Sequence, residues 1–131
     1  MYAKAKEISM KKLMIVAVLL LSVSMTAQAA DRFFTVLYDV PILSSLEVVP
    51  ELSYKYDTLM GKIAHAAAVT KTDPAFIYKA YRVSLKQFGW KIIGKHAYSR
   101  EGEILSISHE SLDEAWLFHF TVRPNQENSH K

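Results

Sequence analysis

Histidine offers the widest chemistry in this chain, since it can bind a metal ion, exchange a proton near neutral pH or act as a general base. The chain contains five histidines: His65, His96, His109, His119 and His130. No two of them have the close spacing of the common zinc motifs. His109 and His119 could meet across neighbouring strands as a weak metal site or a pH-responsive pair. We expect solvated or singly hydrogen-bonded histidines instead, and predict no metal or cofactor.

Carboxylates and nucleophiles form no catalytic pattern. Glu101 lies near Glu103, and Asp113 precedes Glu114, but both pairs fall in predicted turns or polar connections, where carboxylates stay solvated. General acid catalysis needs a carboxylate held in an apolar cleft. The serines show no Gly-x-Ser-x-Gly motif, and the chain has no cysteine. We therefore predict a protein without enzymatic activity.

Aromatic and aliphatic residues outside the core pattern are better candidates for binding. Core packing accounts for most of the aromatic residues, but Tyr54 and Tyr56 lie outside any strongly periodic element, and Tyr78 lies beside the main helical stripe. Aromatic residues on a surface commonly mark protein interfaces. The predicted interaction surface consists of Tyr54, Tyr56, Tyr78, Ile93, Ile104 and Leu117.

A helix just after residue 73 has the clearest structural signal. Thr72 or Asp73 can cap its start, and Pro74 suits the first helical position. Gly89 is a typical residue at the end of a helix. Between them, one face collects apolar and small side chains at three-and-four spacing. These are Ile77, Ala80, Tyr81, Ser84, Leu85 and Phe88.

Strand patterns fill the rest of the domain. After the helix, apolar runs separated by turn residues predict strands at residues 90–93, 97–100, 103–108 and 115–122. Pro124 ends the last strand, and the polar tail that follows is predicted to be disordered. Residues 60–69 are ambiguous: their alanines favour a helix, whereas the alternation of larger side chains allows a strand.

The first 29 residues have the three parts of a secretory signal peptide. A basic region contains Lys4, Lys6, Lys11 and Lys12. An apolar run at residues 13–21 follows, and residues 27–29 form an Ala-x-Ala cleavage motif. We predict cleavage between Ala29 and Ala30 and a periplasmic protein that contacts the membrane only through the signal. An uncleaved anchor is the alternative, but a span needs about 20 apolar residues. Met10 is a second possible start.

Cleavage would change the charge of the chain. Four of the 16 Lys and Arg residues leave with the signal, but only Glu7 of the 13 Asp and Glu residues does. The mature part is then neutral apart from its histidines. Because nucleic-acid binding needs a basic face, we expect no nucleic-acid partner.

Residues 30–59 are predicted to form an extended segment, which precedes a domain at residues 60–124. Pro41 and Pro50 lack a backbone donor and favour extended geometry in the preceding residue. The segment is too apolar for a free linker. It either covers the core of its own domain or docks on a partner.

Several short motifs occur in an order that carries a resemblance. They are Asp39-Val40-Pro41, Asp57, Gly61-Lys62-Ile63, Phe88-Gly89-Trp90 and Arg100-Glu101-Gly102-Glu103. Their order resembles that of small exported proteobacterial proteins of uncharacterised function, over most of the mature chain. The resemblance implies a fold rather than an activity. It favours a strand at residues 60–69, although bulkier residues are expected there, and a three-stranded meander after the helix.

These patterns together predict an α+β fold. One amphipathic helix packs on a mainly antiparallel four-stranded sheet, in the order strand–helix–strand–strand–strand, after the signal peptide and the extended segment. The leading functional hypothesis is a non-enzymatic interaction module of the cell envelope, which binds an unknown envelope protein or itself. The alternative is a carrier for a small apolar ligand, with a cavity between helix and sheet lined by Phe76, Val83 and Trp116.

Overall fold

A computed structural model describes residues 32–126. The predicted signal peptide, its cleavage site, the second possible start and the last five residues of the tail lie outside this range. The described chain has one α-helix, nine β-strands and one 3-10 turn. In chain order they are β1 (Arg32–Phe33), β2 (Pro41–Ile42), β3 (Glu47–Val48), the 3-10 turn (Pro50–Leu52), β4 (Tyr54–Thr58), β5 (Gly61–Thr70), α1 (Pro74–Gln87), β6 (Lys91–Gly94), β7 (Ala97–Arg100), β8 (Glu103–Ser111) and β9 (Trp116–Pro124).

Seven of the strands form one antiparallel sheet in the order β3-β5-β9-β8-β7-β6. β4 also pairs with β5, on the edge that β3 uses. β1 and β2 form a separate two-stranded ribbon. The predicted α+β fold with one helix and a mainly antiparallel sheet is therefore confirmed.

The number of strands differs from the prediction of four. The extended segment adds β3 and β4 to the sheet, and the chain after α1 forms the four strands that its turn residues indicate, not the three of the predicted strand order. Pro41 and Pro50 led us to expect an irregular extended chain there. Pro50 instead starts the 3-10 turn between β3 and β4, where it needs no backbone donor.

The helix forms where its capping residues predict it. The side chain of Asp73 accepts a hydrogen bond from the Ala75 N–H at 2.9 Å, and Pro74 takes the first helical position. Ile77, Tyr81 and Leu85 are buried along one face, as the three-and-four spacing requires. Gly89 follows with a φ of +85°, a conformation that glycine adopts without a steric cost.

The ambiguous alanine-rich segment is strand β5. Tertiary packing overrides the helix propensity of alanine here, because β5 lies between β9 and the β3–β4 edge. Ala64, Ala66 and Ala68 face the core and are almost completely buried. The strand agrees with the expectation from the resemblance.

One face of the sheet is covered jointly by α1 and the extended segment. The segment buries Phe34, Leu37, Val40 and Leu46 in the same core cluster as the helix residues. The hydroxyl of the buried Tyr81 donates to the Pro41 carbonyl oxygen at 2.7 Å. The segment thus packs on its own domain, the first of the two alternatives. Within residues 32–126, no helix is long and apolar enough to cross a membrane.

Candidate functional site

The sheet face opposite α1 is covered neither by the described helix nor by the core-forming residues of the extended segment. We call it the open face and define it by the following residues. They are Tyr54, Tyr56, Ile63, His65, Val69, Lys91, Ile93, Ser99, Ile104, Glu110, Leu117, His119, Thr121 and Arg123. The register of the strands places all of them except Ile93 on one side, because alternate residues of a strand point to opposite faces. Ile93 lies at the irregularity of β6 and lines a cavity together with Ser99 and Ile104.

Five of the six residues predicted as an interaction surface lie on the open face. Tyr54, Tyr56 and Ile93 are 49%, 51% and 53% exposed. Ile104 is half-buried, and Leu117 is buried between its strand neighbours Val69 and Glu110.

Tyr78 is not on the open face. It lies on α1, on the opposite side of the sheet, and its ring contacts the core residue Phe118 at 5.3 Å between centroids. The surface that the structure assembles is therefore the predicted one without Tyr78.

A chain of polar contacts crosses one part of the open face. His65 Nδ1 lies 2.8 Å from the Leu52 carbonyl oxygen, and His65 Nε2 lies 3.1 Å from His119 Nδ1. His119 Nε2 in turn faces Glu110 Oε1 at 3.8 Å. The ring of Tyr54 stacks on the imidazole of His65, with 5.0 Å between the centroids.

The predicted meeting of His109 and His119 does not occur. In the β8–β9 ladder, His119 is opposite Ser108, and His109 is opposite Phe118. The two histidines therefore point to opposite faces of the sheet, and His119 meets His65 instead. Finding that pair from the sequence would have required knowing that the last strand lies next to β5.

A second group of polar and aromatic side chains lies on the helix side of the sheet. The Tyr78 ring stacks on the His96 imidazole, with 3.5 Å between the ring centroids. The Tyr78 hydroxyl lies 2.6 Å from His109 Nδ1. Burial raises the pKa of Tyr78, so the hydroxyl stays protonated. Burial also lowers the pKa of His96, and the charges of Lys95, Arg82 and His109 lower it further.

A cavity surrounds Arg100. Its volume is about 600 Å³, and it is lined by Asp39, Phe88, Gly89, Lys91, Ser99, Arg100, Glu101, Gly102 and Asn125. Arg100 Nη1 donates to Asp39 Oδ2 at 3.0 Å and to the Phe88 carbonyl oxygen at 2.9 Å. The guanidinium lies over the ring of Trp90, 4.5 Å from its centroid.

Three of the motifs behind the resemblance meet at this cavity: the Asp-x-Pro motif, the Gly-Trp helix end and the Glu-Gly turn. Asp39 and Glu101 both have a positive φ, of 54° and 50°, which is uncommon outside glycine. The cavity lining combines the cations of Lys91 and Arg100 with the carboxylates of Asp39 and Glu101. This mixture gives no net charge that would select one kind of ion.

The space between helix and sheet is filled by side chains. Phe76 and Val83, which the carrier hypothesis places along a ligand cavity, are 68% and 62% exposed on the outer side of α1. Tyr81, Phe118 and Phe120 occupy the interior and are fully buried. A cavity between the extended segment and the sheet, lined by Val36, Leu37 and Ala64 among others, has a volume of only about 30 Å³.

Among residues 32–126, no group of three or more His, Cys, Asp or Glu side chains is placed to hold a metal ion. Comparison with known proteins found no matching family model, no matching curated protein and no matching solved structure.

Proposed function

We propose that this chain is an exported, non-enzymatic interaction module of the periplasm, which binds another protein of the cell envelope through the open face. One observation carries the proposal. Tyr54, Tyr56 and Ile93 stand exposed on a broad sheet face, while the helix and residues 34–46 of the extended segment pack on the other side.

The tyrosine pair is suited to binding without a large entropic cost. The rings of Tyr54 and Tyr56 stack with 5.8 Å between their centroids, and the Tyr54 ring also stacks on the His65 imidazole. Side chains that are already held in place lose little rotamer freedom when a partner docks. Each ring also offers apolar area together with a polar hydroxyl, a combination that is frequent in interfaces.

Charge on the open face indicates the chemistry of the partner. The strand register places Lys91 beside Ser99, Ser99 beside Ile104, and Ile104 beside Arg123. Both cations are exposed, and neither forms an ion pair within the described part of the chain. The partner is therefore a protein surface that brings acidic side chains to this end of the face and apolar ones to the tyrosines of β4.

Site-specific crosslinking in intact cells tests the proposal. A photoreactive phenylalanine analogue replaces Tyr56 or Ile93 on the open face, and Phe76 or Val83 on the outer side of α1 as matched exposed controls. We expect both open-face positions to capture the same envelope protein, and the helix positions to capture none. Arg123→Glu should abolish this crosslink, whereas Arg82→Glu on the helix should leave it unchanged.

Three results would refute the docking proposal. They are equal capture from the two surfaces, crosslinks only between copies of this chain, and a crosslink that survives Arg123→Glu. Export is tested separately by sequencing the N-terminus of the protein recovered from the periplasmic fraction, which we expect to begin at Ala30.

A further inference from the structure

The histidine pair of the open face has hydrogen-bond acceptors at both of its outer ends. The Leu52 carbonyl oxygen, 2.8 Å from His65 Nδ1, can only accept a hydrogen bond. Glu110 Oε1, 3.8 Å from His119 Nε2, is too far for a direct hydrogen bond, but its negative polarity attracts an N–H on that nitrogen. Each acceptor favours the tautomer whose hydrogen is on the nitrogen facing it.

In the tautomers that these acceptors favour, the two inner nitrogens carry no hydrogen. A neutral imidazole has a single N–H group, so a hydrogen on His65 Nδ1 leaves Nε2 with a lone pair and no hydrogen. A hydrogen on His119 Nε2 likewise leaves Nδ1 as a lone pair. These two inner nitrogens are 3.1 Å apart, and two lone pairs at that distance repel each other unless a cation lies between them.

We propose that His65 Nε2 and His119 Nδ1 together bind a divalent transition-metal ion of the zinc, copper and nickel class. Neutral imidazole nitrogen is a preferred ligand for these ions. Two nitrogens that each lie about 2.0–2.1 Å from one metal are roughly 3 Å apart, as they are here. A hydrogen bond from the far nitrogen to a carbonyl oxygen, as between His65 Nδ1 and Leu52, is also a usual way in which metal-binding histidines are oriented.

The site is accessible and binds weakly. The side chain of His119 is 29% exposed, so an ion can reach the pair from solvent. Since the described residues supply no group of three ligands, water completes the coordination. Two protein ligands make an exchangeable site rather than a structural one, and the metal is not needed for the fold. This inference is independent of the docking proposal.

Copper(II) is the probe, because its electron paramagnetic resonance spectrum shows how many nitrogens bind it. The protein is the mature chain without an affinity tag. We expect one bound copper ion with splitting from two imidazole nitrogens. His65→Gln and His119→Gln should each lower the affinity for copper and zinc at least about tenfold. His109→Gln is the matched control, because His109 lies on the other face of the sheet and should have no effect.

A measurement on the unmutated chain guards against variants that fail to fold. Substoichiometric copper should broaden the NMR signals of Tyr54 and Thr121, but not those of Tyr98 on the core side. The proposal is overturned if the broadening centres elsewhere, if one nitrogen or none is detected, or if folded His65→Gln keeps the native affinity. If His65 and His119 only share a hydrogen bond and bind no metal, folded His65→Gln will keep the native affinity. Crosslinking through Tyr56 does not depend on the outcome.

Discussion

Arg100 and Asp39, 61 residues apart in the chain, form an ion pair with 3.0 Å between Nη1 and Oδ2. The same nitrogen donates to the carbonyl oxygen of Phe88, just beyond the last residue of α1. Arg100 therefore connects the extended segment, the end of the helix and strand β7. Its Nε–H is buried without a hydrogen-bond partner among the described residues, so these contacts rest on Nη1 and on the Trp90 ring.

Replacing Arg100 should be more costly than replacing its acidic partner. Arg100→Met leaves the Phe88 carbonyl without its donor and should lower the free energy of unfolding by about 2 kcal/mol. Asp39→Asn should cost only about 0.5 kcal/mol, because the Asp39 side chain is 59% exposed and asparagine also tolerates a positive φ. Urea unfolding of both variants and the double mutant measures the coupling. A cost for Asp39→Asn equal to that of Arg100→Met would contradict this division of roles.

Removal of one buried hydroxyl should loosen the extended segment. In Tyr81→Phe the Pro41 carbonyl loses its donor inside the core, which should lower the free energy of unfolding by about 1–2 kcal/mol. Tyr54→Phe, on the exposed face, is the control and should change stability by less than about 0.5 kcal/mol. Hydrogen exchange of the amide of Phe34, which is bonded to the Val40 carbonyl oxygen, should become faster in Tyr81→Phe alone.

The capping residue of α1 should contribute measurably to stability. Asp73→Ala removes the acceptor of the Ala75 N–H and should cost about 1 kcal/mol. Asp73→Asn keeps an acceptor and should recover most of that loss. Thermal unfolding followed by circular dichroism compares the two variants. If both variants lose the same stability, the carboxylate charge of Asp73, rather than its hydrogen bond, stabilises the helix.

His96 should make the fold less stable in acid. Because burial lowers its pKa in the folded protein, and Lys95, Arg82 and His109 add to the effect, the unfolded chain takes up a proton first as the pH falls. The contribution of neutral His96 to the free energy of unfolding is therefore fully present above the ordinary titration range of histidine. This contribution is lost as the pH falls through that range. NMR titration should show the His96 midpoint below the ordinary value and a higher midpoint in Lys95→Gln. Lys55→Gln is the control and should leave the midpoint unchanged. A His96→Gln variant that is as acid-sensitive as the parent would contradict the stability argument.

The sequence predicts the parts of the fold that depend on neighbouring residues. Asp73, Pro74 and Gly89 define the helix, because capping and termination depend on local hydrogen bonds and backbone angles. The four strands after the helix follow from turn residues and alternation in the same way. Ala66 and its neighbours in β5 remained ambiguous, because their local propensity favours a helix and only their place inside the sheet makes them a strand.

The contacts of the candidate site depend on strand order, which local patterns do not contain. His65 and His119 are 54 residues apart, and their meeting requires β9 to lie beside β5. The sequence predicts Tyr78 as a surface residue, because it lies off the main apolar stripe of the helix. The β7–β8 side of the sheet supplies His96 and His109, which pack against it. In both cases the missing information was which elements become neighbours.

The central place of β9 sets the order in which the molecule can fold. Trp116–Pro124 is the last strand of the described chain, yet it pairs with β5 on one side and β8 on the other. A nascent chain that stops before residue 116 has no strand to join those two, so the sheet cannot close. Because such distant pairings are slow to form, β5 and β8 stay without their shared neighbour until residues 116–124 are available to pair with both.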